Sequence, residues 1–215
     1  FNIGIISTGA TSKKIVSLGY KCTEISNLTK FKEILDGRVK TLNPKLHASI
    51  LYKRENADHV KTFKKLNFPV IDFVIVNFYP FTKISNKENQ DRKIEMIDIG
   101  GPSMIRSASK NFKYVTTICD KKFYDPLIRE LIKNRGKTSL AFRKKMAENN
   151  FKLTSDYDLS IFKWLNNNKN NRSNKVNIKY GENPNQKAYY LTNSQSNLFN
   201  SQLSGRDIGY NNILD

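Results

Sequence analysis

The sequence predicts an α/β fold: a doubly wound, mostly parallel sheet with flanking helices, followed by the start of a second domain. Three observations carry this. Strand-like and helix-like segments alternate up to about residue 138, the pattern of successive βα units. The strongest strand signal, "DFVIVNFYPF", is a continuous apolar run from Phe73 to Val76, as expected of a strand covered on both faces. A polar, low-complexity run, "NNNKNNRSNK" at residues 166–175, then separates this material from a differently patterned tail and reads as a linker.

The elements follow in order. "NIGIIST" reads as a buried strand and "TSKKIVSLG" as a short helix stopped at Gly19, since glycine readily ends a helix. "YKCTEIS" is a second short strand, and "TKFKEILDG" a helical turn or two closed by Gly37. In "ADHVKTFKKLNF" the apolar positions Val60, Phe63 and Leu66 have the spacing of an amphipathic helix. "YVTTIC" is a further strand and "FYDPLIRELIKN" the helix after it. Beyond residue 138, Phe142, Met146, Leu153, Tyr157, Ile161 and Trp164 fall near helical spacing across two helices and read as core.

Composition narrows the function classes. The formal charge is +18, which raises a nucleic-acid-binding module as one reading. The cations are spread along the chain, and lysine, asparagine and isoleucine are abundant together, so a solvated, highly charged surface is preferred. No run approaches the ~18 apolar residues of a membrane span. "FNIGIISTGATSKK" lacks the pattern of a signal peptide. Cys22 and Cys119 are far apart and show no metal-ligand spacing, so reduced cytosolic thiols are expected.

Four segments carry candidate chemistry. "STGAT", residues 7–11, follows a strand and opens a helix, where free N–H groups and the helix dipole favour an anion. Ser7, Thr8 and Thr11 add hydroxyls, and Gly9 permits close approach; a plain strand-to-helix turn fits equally. In "GRVKT" an extended backbone would put Arg38 and Lys40 on one face, the first for bidentate grip and the second as a point charge; a loop of solvated cations is the alternative. "VNFYPF" would aim Asn77 and Tyr79 at the crevice beyond a strand's carboxyl end. In "IDIGGPSMIRSASKN", Asp98 precedes a Gly100-Gly101 turn and a helix on which Ser103, Ser107 and Lys110 share a face. A carboxylate there can take a proton while nearby N–H groups hold an oxyanion, or it can simply cap the helix. His47 reads more readily as a structural histidine than as a catalyst.

Together, "STGAT", "GRVKTLNPKLHASIL", "VNFYPF", "IDIGGPSMIRSASKN" and "KYGENPNQ…YNNILD" occur in the order found in the bifunctional purine-biosynthesis family that joins phosphoribosylaminoimidazolecarboxamide formyltransferase to IMP cyclohydrolase. The chain resembles this family over nearly its whole length. The resemblance implies a methylglyoxal-synthase-like cyclohydrolase domain at residues 1–165, a linker at 166–175 and the beginning of the transformylase domain at 176–215. It implies cyclisation of a 5-formamidoimidazole-4-carboxamide ribonucleotide to IMP with loss of water. Lys40, Tyr79, Asp98 and Lys110 would be catalytic. Ser7, Gly9, Ala10, Thr11, Arg38, Thr41, Asn77, Ile99, Gly100 and Gly101 would bind substrate and phosphate. Lys179 and Tyr180 would belong to the transformylase-side substrate site. No metal or cofactor is implied for ring closure, and 10-formyltetrahydrofolate is the cosubstrate of the other activity. The implied partners are a purine ribonucleotide and a second copy in a homodimer, with no nucleic acid and no membrane, in the cytoplasm.

The sequence also departs from the family pattern. Family members begin with a further strand and an S-V-S-D-K-like loop that helps hold the phosphate, and their formyl-transfer Lys-His pair would fall beyond residue 215; a fragment is therefore expected. Asn43 and Asn185 stand where histidine is usual, and Lys179 where arginine is usual. A methylglyoxal-synthase-like enzyme is the other enzymatic alternative, disfavoured by "VNFYPF" and the transformylase-like tail.

Overall fold

A computed structural model of the chain describes residues 3–81, 89–167, 174–178 and 186–192. The chain divides into two compact units, Phe1–Leu159 and Ser160–Asp215.

The first unit is built from parallel βα pieces. Strand β1 (Ile6–Ser7) leads into α1 (Gly9–Ser17) and returns as β2 (Thr23–Glu24), parallel to β1 with Ile6 opposite Thr23. Helix α1 ends as expected: Gly19, just past it, has φ +84°. The helix predicted over "TKFKEILDG" is displaced. Helix α2 (Ile25–Thr29) forms earlier, where Ile25 is buried, and Lys30 ends it in the left-handed region at φ +58°. Only a single 3-10 turn, Leu35–Gly37, remains of the predicted element.

Helix α3 (Pro44–Leu51) forms where no element is predicted. Asn43, the departure from the family pattern, caps it: its side chain accepts from the Lys45 N–H at 2.9 Å, and Pro44 fills the first turn, a favoured start for a helix. Helix α4 (Ala57–Lys65) buries Phe63 as predicted, and the ring stacks on Tyr52 with centroids 4.0 Å apart.

Strand β3 (Phe73–Ile75) pairs in parallel with β4 (Thr116–Ile118), Val74 opposite Thr117. Between them come α5 (Gln90–Glu95) and α6 (Gly100–Lys110). The strand covered on both faces is β4, not β3. All three β4 residues are buried, whereas Ile75 in β3 remains 50% exposed. On one side of the β3–β4 pair lies a cluster containing Leu46, Ile50, Val74, Ile105 and Val115. On the other, Ile118 meets Leu127, Leu131 and Met146 from α7 (Tyr124–Lys133) and α8 (Leu140–Asn167). Helices on both faces of a parallel pair are the doubly wound arrangement.

Two helices were predicted after residue 138; one 28-residue helix, α8, runs there instead. It has no glycine or proline to interrupt it. Its stripe at Met146, Asn150, Thr154 and Tyr157 is buried; of the predicted core positions Met146 and Tyr157 are buried, and Phe142, Leu153, Ile161 and Trp164 are half-buried. Asn150 satisfies its own buried amide by donating to the Thr117 carbonyl at 3.0 Å and accepting from the Cys119 thiol. Burial pushes that thiol up to about 12, so it remains protonated. Cys22 and Cys119 are both free.

The second unit begins within α8. It contains an antiparallel pair, β5 (Asn174–Ile178) and β6 (Ala188–Thr192). Regular structure thus takes up the first two and last two residues of the Asn-rich run. Lys179, Tyr180, Asn185 and "YNNILD" lie outside the described residues.

Candidate active site

A cavity of about 1830 Å³ runs along β1 and β3 and takes in their carboxyl ends, where open α/β sheets place ligands. Residues from all four sequence-predicted segments line it.

At the end of β1, Ser7, Thr8 and Thr11 face the cavity. Thr8 is the extended residue before α1, so the first N–H groups of that helix have no partner within it. The Gly9 N–H reaches Glu24 Oε1 at 3.4 Å, a long contact, and Glu24 Oε2 is buried without a partner. Ala10 is exposed and does not line the cavity.

"GRVKT" is not extended throughout. Leu35 and Asp36 both have positive φ, at 54° and 53°, and Arg38 is helical; only Val39 makes a bridge, back to Ile34. Arg38 and Lys40 still line one cavity, but each is held by a different carboxylate. Arg38 pairs with Glu95 of α5, which raises the guanidinium pKa further. Lys40 pairs with Glu33 at 2.5 Å. The Lys40 ammonium also lies over the β1–α1 turn, 3.2 Å from where a Cβ on Gly9 would be. Two distant sequence motifs therefore meet at one point.

Asp98 also lines the cavity. Its Oδ1 accepts from the Gly101 N–H at 2.8 Å, and the Tyr79 N–H also donates to this carboxylate. It thus caps α6 by side chain, one of the two roles read from sequence. The neighbouring N–H dipoles alone would favour the charged form. Burial outweighs the two N–H donors, and the pKa lies above the ordinary aspartate value. A raised carboxylate pKa moves it toward the working range of a general base.

Gly100 and Gly101 permit this packing. A Cβ on Gly101 would lie 2.5 Å from Asp98 Oδ2, and one on Gly100 would overlap the hydroxyl of the buried Thr41. Gly101→Ala is accordingly expected to displace the carboxylate and lower turnover by roughly tenfold or more, since ~1 Å misplacements carry such costs; steady-state rates at matched folded fraction check this.

Of the remaining predicted residues, Tyr79 is 55% exposed into the cavity, Ile99 lines it, and the Asn77 amide donates to the Tyr124 hydroxyl at 2.8 Å. Lys110 is not brought into the cavity. It is exposed at the far end of α6, about 15 Å along the helix axis from Gly100. His47 is structural in its contacts. Its Nδ1 meets Ser107 Oγ at 2.9 Å, its Nε2 is buried without a partner, and burial lowers its pKa. Sequence reading missed the carboxylates of Glu33 and Glu95; neither belongs to a motif, and only the fold brings them to the cations. Among the described residues no cluster of His, Cys, Asp or Glu could hold a metal ion, and no helix is long and apolar enough to cross a membrane.

The fold and the site define a methylglyoxal-synthase-like α/β domain in which a strand-to-helix turn, two cations and a half-buried carboxylate line one cleft. A family model described as "MGS-like domain" matches residues 1–103, and one described as "AICARFT/IMPCHase bienzyme" matches residues 108–215. The chain belongs to the AICARFT/IMPCHase bienzyme family. It is 44% identical to the "Bifunctional purine biosynthesis protein PurH" of Caldicellulosiruptor bescii, with 100% of this chain and 45% of that protein covered. The protein of the same name from Fusobacterium nucleatum is also 44% identical, over 99% of this chain and 44% of its own length. The chain therefore spans a little under half the length of these relatives. Among solved structures, "Crystal structure of ForH" matches with a TM-score of 0.68 and 28% identity, covering 75% of this chain and 84% of that one.

Proposed function

We propose that this cavity is an IMP cyclohydrolase site, working in de novo purine biosynthesis. The observation that carries the reading is that Lys40, lying over the β1–α1 turn, and Asp98, held by the Tyr79 and Gly101 amides, line one cleft. The turn suits a 5′-phosphate, with Ser7, Thr11 and Arg38 as further donors.

Ring closure joins two groups already on one molecule, so orientation does much of the work. The carboxamide nitrogen of the formamidoimidazole nucleotide attacks the formyl carbon, and Asp98 takes the nitrogen's proton. The developing alkoxide is stabilised by Lys40 or the Tyr79 hydroxyl. The alkoxide takes up the proton that Asp98 removed; the C–O bond then breaks and the hydroxyl leaves as water with the proton of the former formamide nitrogen, whose new C=N bond completes the purine ring. The bonds balance without electron transfer, so the step calls for no redox cofactor. Lys110, placed outside the cavity, has no role in this reading.

The test is conversion of the formamido nucleotide to IMP by the full-length gene product with no folate present. Conversion together with saturable IMP binding supports the reading; generic, salt-dependent RNA or DNA binding without conversion opposes it. The wider proposal follows the family. Formyl transfer from 10-formyltetrahydrofolate would use a second domain, with Lys179 and Tyr180 at its substrate site, in a cytoplasmic homodimer.

The domain proposal remains residues 1–165, a linker at 166–175 and a second domain from 176. Limited proteolysis of the full-length product should cut first within 166–175, where polar chain is most accessible. First cuts inside 1–160 would count against that boundary.

A further inference from the structure

We propose that Tyr157 is a positioning residue that holds the Asp98 backbone and the Tyr79 segment in their working arrangement. The inference rests on the ring-closure reading above, and it concerns a residue that periodicity alone assigns to the core.

Three contacts carry it. The Tyr157 hydroxyl accepts from the Asp98 N–H at 2.8 Å and donates to the Met96 carbonyl at 3.1 Å. One oxygen thereby closes the turn that delivers Asp98. The ring meets Phe78 at 5.2 Å and Phe81 at 6.2 Å between centroids, so it also seats the residues flanking Tyr79. Tyr157 is only 8% exposed, and nothing about apolar packing requires a hydroxyl there. Phenylalanine would fill the same space. The hydroxyl is explained by the backbone groups it satisfies, since an unpartnered buried N–H is costly.

The side chain thus links α8 to the two segments that present Asp98 and Tyr79. Asp98 needs its own N–H held, because its carboxylate is already turned toward the N–H groups of Gly101 and Tyr79. Release of the Asp98 N–H lets the turn shift while the aromatic packing persists.

The test uses Tyr157→Phe in the full-length gene product, alone and combined with Asp98→Asn. Tyr157→Phe is expected to lower kcat about 10- to 100-fold, the scale of a misplaced catalytic group, with IMP affinity changed less than about threefold. In the Asp98→Asn background the same change should cost little more, because both act through one group. A purely structural hydroxyl would lower the melting temperature but leave kcat of the folded enzyme intact, and that result overturns the proposal. So does an equal loss in both backgrounds. If Asp98→Asn alone retains turnover, the ring-closure assignment of Asp98 falls and this inference with it; if Asp98→Asn is inactive while Tyr157→Phe is fully active, only this inference falls. Amide exchange in the unaltered protein gives a check independent of any variant: slow exchange at Asp98 is expected, and fast exchange contradicts the clamp.

Discussion

Asp98→Asn is expected to slow single-turnover ring closure by roughly 10²–10⁴-fold, the range for loss of a general base, while IMP affinity changes by less than about tenfold. The substitution keeps the side chain's shape and its carbonyl oxygen. That oxygen can still accept from the Gly101 N–H, which now holds Oδ1 at 2.8 Å. Asparagine caps helices nearly as well as aspartate, so the melting temperature should move little. A cap alone would leave turnover intact. The pH dependence gives the same test another form. Burial raises the Asp98 pKa above its ordinary value, and the base must be ionised to act. Turnover should therefore fall as the pH drops through that raised pKa, giving an acid limb above the usual aspartate range. The limb should be absent from the residual activity of Asp98→Asn. The stability consequence has the opposite sign. Because the folded state disfavours the charged form, this one group destabilises the fold above its folded pKa, and the penalty is relieved as the pH falls through that value toward the unfolded one.

Lys40→Ala should reduce ring closure by at least ~10²-fold, as expected for a lost electrostatic donor. The geometry adds a distinction that sequence could not supply. The ammonium lies over Gly9 and against Glu33, beside the proposed phosphate turn. If Lys40 acts mainly on the phosphate, KM rises with most of the loss. If it acts on the developing oxyanion, kcat and kcat/KM fall together. Single-turnover rates at saturating and subsaturating nucleotide separate these. Unchanged rates in both regimes would remove Lys40 from the site.

Much of this site was legible because its motifs are backbone-defined. A hydroxyl- and glycine-bearing turn after a strand, and a Gly-Gly pair opening a helix, name their own conformations. Side-chain placement was less legible. Arg38 and Lys40 do share a cavity, but through a turn with two residues at positive φ, not through strand alternation. Lys110 shares a face of α6 with Ser103 and Ser107 in sequence, yet the cavity reaches only the beginning of that helix. Helix α3 is absent from the expected elements although Asn43-Pro44 carries its start signal, because its eight residues show little apolar periodicity. The opposite error occurred at "TKFKEILDG", where helix-forming residues lack a buried face and Ile25, earlier in the chain, supplies one. At β3 and β4 the apolar run marked the strand but not its burial. Both threonines of β4 are nonetheless buried: Thr116 Oγ1 meets Thr138 Oγ1 at 2.7 Å, while Thr117 Oγ1 has no hydrogen-bond partner. Partners remote in sequence, such as Glu33 and Glu95, leave no local signature at all.

The most direct measurement is a crystal structure of the full-length gene product with IMP bound. The account predicts the 5′-phosphate on the turn at residues 7–11, within reach of Lys40, and the six-membered ring between Lys40 and Asp98, with Tyr79 against it. IMP found only outside this cleft, with Asp98 contacting nothing but the Gly101 and Tyr79 amides, would contradict it.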